Sequence, residues 1–299
     1  MFQQTLSLSC DFEGKGLHSG ALSHMSIRPG EPDAGIVFVR TDLGVEIPAL
    51  ASNVVSTRRS TTLGVGKARV GTVEHVLAAL TGLGIDNARI ETDAPELPIL
   101  DGSAAPFVSA IMKAGIKPQD APRRWIVPTN ECMVSDPRTG AFIKVESSEE
   151  PSLEVTIDYN SKVLGVQTVR MDRATDFATQ FAPCRTFCFL HELLPLLAFG
   201  LARGGDVNNA LVVVERPVKP FTLKALSFLL HQPVTGVSPE GYLGSISPYF
   251  PDECGRHKLL DLLGDLRLCG GFLKAKVTAY KPGHALNTRL TSELSNCIR

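Results

Sequence analysis

The chain lacks a run of apolar residues long enough to cross a bilayer. Its greasiest stretch, Cys188 to Ala202, is interrupted by His191, Glu192 and Pro195 and falls short of the ~20 residues a spanning helix needs. The opening MFQQTLSLSC has no basic segment followed by an apolar core, so no signal peptide is expected. Net charge is almost absent: 30 basic and 31 acidic residues leave −1, which gives no global attraction to nucleic acid or anionic membrane. The seven cysteines include no CxxC pair, and Cys184 and Cys188 are the only close spacing. That pattern fits a reduced, cytoplasmic protein.

Nucleotide and metal signatures of the local kind are missing as well. Gly64-Val65-Gly66 has Arg69 where a GxGxxG loop needs its third glycine, and no Walker loop surrounds Arg203-Gly204-Gly205. An HExxH helix fails at His191-Glu192-Leu193-Leu194-Pro195, where proline replaces the second ligand, and the reversed HxxEH form fails at Gly71. Any bound metal must therefore draw ligands from distant segments.

Present instead are 299 residues, 43% of them hydrophobic, enough for a large core and two domains of ordinary size. Alternating patterns predict strands at 35–40, 88–91, 142–145, 153–157, 210–214 and 274–280, with another beginning at Trp125. Helices are expected at 72–82, capped by Thr72, and at 105–114, 189–201, 222–231 and 256–267. The polar segment Lys117 to Arg124 reads as a linker, dividing the chain into 1–120 and 121–299. Both halves read as mixed α and β without the βαβα rhythm of a doubly wound sheet.

Three polar clusters stand out. Glu74 and His75 fall together in TVEHVLAAL; His257, Lys258, Asp261 and Asp265 fall in RHKLLDLLGDL; and His284 follows a Pro-Gly pair. On a helix, 257, 261 and 265 project from one face, and Gly264 beside them permits a close backbone approach. Two histidines and a carboxylate suffice for a zinc site with an open position, and a neighbouring carboxylate can serve as its base. Each piece alone also has a plain reading: a capped first turn, a solvated amphipathic stripe and a loop histidine.

Several longer motifs then resemble one family in order along the chain. Glu13 to Gly20 (EGKGLHSG), Thr72 to His75, Gly84 to Asn87 (GIDN), Pro98 to Phe107 (PILDGSAAPF), Arg185-Thr186-Phe187, Arg256 to Asp265 and Gly283-His284-Ala285 closely resemble UDP-3-O-acyl-N-acetylglucosamine deacetylases, zinc amidases of lipid A synthesis. The resemblance implies an α+β fold of two domains with similar topology, each a β-sheet layered with helices, and an active site between them. It implies His75, His257 and Asp261 as zinc ligands and Glu74 as general base. His284 becomes the general acid, held by Asp265, and Thr186 the hydroxyl that polarises the scissile carbonyl. Lys258 falls near the substrate's phosphates, His18 in the substrate pocket, and Phe187 and Phe189 along an acyl-chain passage. The implied partner is an acylated UDP-N-acetylglucosamine, handled by a monomer without nucleic acid, with peripheral membrane contact conceivable because the substrate is lipidic.

The chain departs from the family pattern in places. Residues 219–249 are rich in proline and glycine, and Cys254-Gly255 precedes Arg256 where apolar residues are expected, altering the helix entry. Asn160 to Gly165 (NSKVLG) resembles the variant fused to a hydroxyacyl carrier-protein dehydratase, so a truncated or separate deacetylase unit is expected. The competing classes are a zinc amidohydrolase for another N-acyl substrate and a binding protein without catalysis. Glu74, which binding does not require, argues against the second.

Overall fold

The computed structural model describes residues 1–198, 203–206, 209–230, 232–244 and 246–294. In the first part of the chain β1 (Phe2–Leu6), β2 (Cys10–Lys15), β3 (Leu22–Pro29), β4 (Ile36–Arg40) and β5 (Val45–Pro48) precede a small sheet of β6 (Val54–Ser56), β7 (Thr62–Val65) and β8 (Ala68–Val70). Then follow α1 (Glu74–Gly82), β9 (Ala88–Thr92), α2 (Ala105–Ala114) and β10 (Ile116–Pro122). The main sheet runs β2-β3-β9-β4-β5, with β9 antiparallel to β3 and parallel to β4.

The second part has β11 (Trp125–Ile126), β12 (Cys132–Asp136), β13 (Ala141–Ser147), β14 (Ser152–Asp158), β15 (Val166–Asp172), α3 (Phe177–Gln180), β16 (Phe187–Phe189) and α4 (Leu190–Ala198). It continues with β17 (Leu211–Val213), α5 (Pro220–Leu229), α6 (Glu253–Leu266), β18 (Phe272–Leu273), β19 (Ala275–Tyr280) and α7 (His284–Leu294). Its main sheet runs β12-β13-β19-β14-β15, and β19 is antiparallel to β13 and parallel to β14. The two sheets therefore share one topology: a hairpin, a late strand inserted at the centre, and a second hairpin. Period-two alternation drives them, as in β14, where Leu153, Val155 and Ile157 are buried.

Between the sheets, α1 packs on α6. Both are buried almost all round: residues 74–80 of α1, and all but Arg256 and Lys258 of α6. Gly264 is what lets them approach, because a Cβ there would collide with the Glu74 carbonyl. The helix is thus not the solvated amphipath its stripe suggests; His257, Asp261 and Asp265 lie within the interface.

Several local expectations change. The stretch read as a linker from 117 is a strand, β10, whose backbone is paired with β1 across the register Gln4 to Pro118; its prolines fit because an edge strand tolerates missing donors. Thr72 does not cap α1: it adopts φ 58°, its hydroxyl donates to Glu96 at 3.0 Å, and Val73 holds the cap position. Cys254 and Gly255 leave the entry of α6 intact, and the helix begins three residues before Arg256 at Glu253. Gly255 there allows β15 to lie close, donating from its N–H to Gln167 at 2.7 Å. His284 opens helix α7, which the Pro-Gly pair had concealed. The expected helices 189–201 and 222–231 appear as α4 and α5, while 199–201 and 231 lie outside the described residues, as does Cys297.

Candidate metal centre and acid-base site

The first turn of α1 and the middle of α6 bring His75, His257 and Asp261 together, with one ligand atom of each within 4.8 Å of the others. Asp261 Oδ1 lies 3.3 Å from His257 Nε2 and 3.7 Å from His75 Nε2, and the two imidazoles meet edge to face at 5.0 Å between centroids. His257 Nδ1 donates to the Cys184 carbonyl at 2.9 Å, which leaves the lone pair on Nε2, facing the cluster. Burial, and then the neighbouring His257, pushes His75 down to about 3, and burial also lowers His257. Burial alone would raise Asp261, but Lys258 and the histidines outweigh it and hold the carboxyl well below its usual range. Two neutral imidazoles and one carboxylate, all buried and convergent, fit a divalent cation of the zinc class in charge and donor type.

Beside this cluster sits an acid-base pair. Glu74, next to His75, accepts from the Thr61 N–H at 3.0 Å through Oε2, and its Oε1 lies 3.8 Å from His284 Nε2. Burial pushes Glu74 up to about 8, against the pull of His284; a cation on the neighbouring ligands would lower it again. His284 Nδ1 donates to Asp265 Oδ2 at 2.9 Å. Burial would lower His284, yet Asp265 and then Glu74 outweigh it and raise it to about 9. Its Nε2 also stands 4.0 Å from Asp261, so it faces the His-His-Asp cluster.

The remaining expected residues surround this centre. Lys258 Nζ donates to Asp261 Oδ2 at 2.7 Å and stands 5.6 Å from the Phe187 ring centroid. Thr186 follows Cys184 by two residues, its N–H donating to the Gly102 carbonyl at 2.8 Å. Together with His18, Phe187 and Leu193, Thr186 lines a cavity of about 100 Å³. The His18 N–H donates to Glu96 at 2.9 Å, and its Nε2 is buried without a partner among the described residues. Phe189, with Tyr159 5.5 Å away, instead lines a larger cleft of about 1060 Å³ that also contains Lys162, Arg216 and Lys219.

Three contributors were not singled out in the sequence. Thr61 donates its hydroxyl to Asp265 Oδ1 at 2.6 Å and lies 3.2 Å from His284 Nδ1. Asn287, one turn after His284, donates to Asp265 Oδ2 at 2.8 Å; its i, i+3 spacing from His284 was the available signal once a helix is recognised there. Glu253 accepts from the Arg185 N–H and Nε, both at 2.9 Å, anchoring the segment before β16 that supplies the Cys184 carbonyl. No spacing rule links Glu253 to Arg185, since they meet only through the fold.

Comparison with known proteins agrees with this geometry. The profile of the UDP-3-O-acyl N-acetylglycosamine deacetylase (LpxC) family matches residues 3–225 and 234–296. The UDP-3-O-acyl-N-acetylglucosamine deacetylase of Myxococcus xanthus is 43% identical over 295 residues, covering 98% of this chain and 86% of the relative. The bifunctional enzyme LpxC/FabZ of Porphyromonas gingivalis is 40% identical over 290 residues, and the match spans 96% of this chain but 63% of that longer protein. A deacetylase of Geobacter sp. strain M21 is 41% identical over 301 residues, covering 98% and 89%. With two sheets of one topology, a buried His-His-Asp cluster and an adjoining Glu-His pair, the chain belongs to the UDP-3-O-acyl N-acetylglycosamine deacetylase family.

Proposed function

We propose that the chain hydrolyses the acetamide of UDP-3-O-(3-hydroxyacyl)-N-acetylglucosamine, releasing acetate and the 2-amino sugar nucleotide in lipid A biosynthesis. The observation that carries this reading is the convergence of His75, His257 and Asp261 within 4.8 Å while Glu74 and His284 face each other at 3.8 Å. Zinc on those three ligands would acidify water and share the charge of the developing oxyanion. Glu74 takes the proton of the attacking water. His284 Nε2 delivers a proton to the departing amine, which leaves poorly as an anion, while Asp265 keeps the imidazole cationic. Thr186 polarises the acetamide carbonyl and Lys258 meets the diphosphate. His18 lines the substrate pocket, and Phe187 and Phe189 line the path of the acyl chain.

The pairing of β10 with β1 supports dividing the chain into two domains just after Pro122, close to the 1–120 and 121–299 division. On this reading the enzyme is a cytoplasmic monomer that makes peripheral membrane contact because its substrate is lipidic, and α5, with Phe221 and Phe228 exposed beside Lys224, is the surface for that contact. Among the described residues no helix is long and apolar enough to cross a membrane.

The test is metal content measured alongside acetate release from the acylated sugar nucleotide and from unacylated UDP-N-acetylglucosamine. Near-stoichiometric zinc and strong preference for the acylated substrate are expected. Equal turnover of both would point to a different N-acyl substrate. The Glu74→Ala variant should keep its zinc and lose most turnover, and near-normal activity in it would remove Glu74 from the mechanism.

A further inference from the structure

A third cavity lies on the opposite flank of α6 from His257 and Asp261. Its volume is about 370 Å³, and its walls include Leu263, Leu266 and Arg267 together with Trp125, Phe272 and Arg123. It is separate from the cavities that Thr186 and Phe189 line.

Arg267 is the anomaly. The residue is 4% exposed, and only its Nη2 is bonded, to the carbonyls of Ile85 and Asp86 at 3.3 and 2.7 Å. Its Nε and Nη1 have no partner among the described residues. The nearest carboxylate, Asp86, is already occupied: Arg123 reaches it from Nε at 3.0 Å and Nη2 at 2.8 Å, and the Gln4 N–H at 2.8 Å. The remaining Arg123 nitrogen, Nη1, meets only the Met1 thioether at 3.0 Å, a weak acceptor. Both guanidiniums stack on one ring, at 4.1 and 4.4 Å from the Phe272 centroid.

Two buried guanidiniums thus have one neighbouring carboxylate, and of the two only Arg123 is bonded to it. An uncompensated buried charge is costly unless the site gains a counterion. Burial lowers Arg267 to about 10, which still leaves it cationic at neutral pH. A planar guanidinium with free N–H groups suits a carboxylate, and Leu153, Met171 and Phe177 in the wall suit a hydrocarbon body; the two carboxylates of the lining, Glu149 and Asp172, are already engaged by Lys274 and Thr175.

We propose that this cavity binds an amphipathic carboxylate, its head drawn by Arg267 and Arg123 and its tail lying against the α6 leucines. The site is independent of the deacetylase reading and uses none of its residues.

The protein carries its own reporter, because its single tryptophan is Trp125 in the cavity wall. Decanoate, kept below its micellar range, is titrated into the metal-loaded enzyme while Trp125 emission is followed, with decanol and decylammonium in parallel. The expected result is a saturable change with decanoate, an apparent affinity at least ~10-fold weaker for decanol, and none with decylammonium. Arg267→Met, which keeps the apolar stem, should weaken decanoate ~10-fold or more while leaving deacetylation unchanged; one well-paired charged contact has that size. An absent or non-saturable response, equal responses to decanoate and decanol, or full affinity in Arg267→Met would each overturn the proposal. If Arg267→Met does not fold, the contrast among the three probes on the unaltered chain decides alone.

Discussion

His284 and Asp265 form a buried pair, Nδ1 to Oδ2 at 2.9 Å, which fixes both the orientation and the charge of the imidazole that faces Glu74. Replacing His284 by alanine should lower kcat by roughly 10² to 10⁴, the usual contribution of a positioned acid, with KM little changed. A pure KM effect would assign His284 to substrate binding instead.

The same pair sets a pH window. His284 is raised from 6.5 to about 9 by Asp265, against burial, so the cation persists through neutrality and is lost as pH rises through about 9. Its contribution to stability has the same sign: fully present below the unfolded value, and lost between about 6.5 and 9. In Asp265→Asn the alkaline limb of kcat should move to lower pH. An unmoved limb would show that another group sets it.

Thr61 bridges Glu74 and the carboxylate that holds His284: its N–H donates to Glu74 at 3.0 Å and its hydroxyl to Asp265 at 2.6 Å. Thr61→Val keeps the N–H and the shape but removes the hydroxyl. A hydrogen bond to a charged group contributes about 1.5–3 kcal/mol, so kcat should drop by roughly 10- to 100-fold, with KM and zinc content retained. Thr61→Ser should restore most of the loss; failure of serine to do so would mean that valine acts through packing.

How far the sequence could be read depended on whether local or distant contacts decide. Helix α2 (Ala105–Ala114) follows from its own apolar spacing and was expected at the same residues. The stripe His257, Asp261, Asp265 was legible because helix geometry alone aligns it. Its burial was not legible, since that depends on α1, some 180 residues earlier, packing over Gly264. Helix α7 was hidden because Pro282-Gly283 reads as a turn, which it is, immediately before the helix starts. β10 was hidden because prolines suppress a strand signal that its partner β1 supplies from the start of the chain. The roles of His75, His284 and Lys258 came from resemblance over long motifs; no spacing rule joins positions 75, 257 and 284.

Gly264 makes a stability prediction of its own. A methyl at this position meets the Glu74 carbonyl and comes within 3.1 Å of the Ala78 nitrogen, both in helix backbone that cannot rotate aside. Gly264→Ala should therefore destabilise by about 1–3 kcal/mol or more, seen as a lower denaturant midpoint at unchanged slope. Activity should fall even where the protein is fully folded, because relief of the clash displaces Glu74. Unaltered kinetics in the folded variant would show that α1 can shift without moving its first turn.

The Arg185–Glu253 pair tests whether the site depends on a charge that never touches substrate. Glu253 Oε1 receives the Arg185 N–H and Nε, both at 2.9 Å, and Oε2 receives Nη2 at 3.1 Å, with both side chains almost fully buried. Removing only the carboxylate in Glu253→Ala strands the guanidinium and should cost about 3–5 kcal/mol. The double variant Arg185→Met with Glu253→Ala should recover part of that loss, because no buried charge is left behind. Stability would then return without activity if the pair aligns the Cys184 carbonyl with His257 Nδ1. Full recovery of both would show that the pair supports the fold and leaves the ligand orientation to α6 alone.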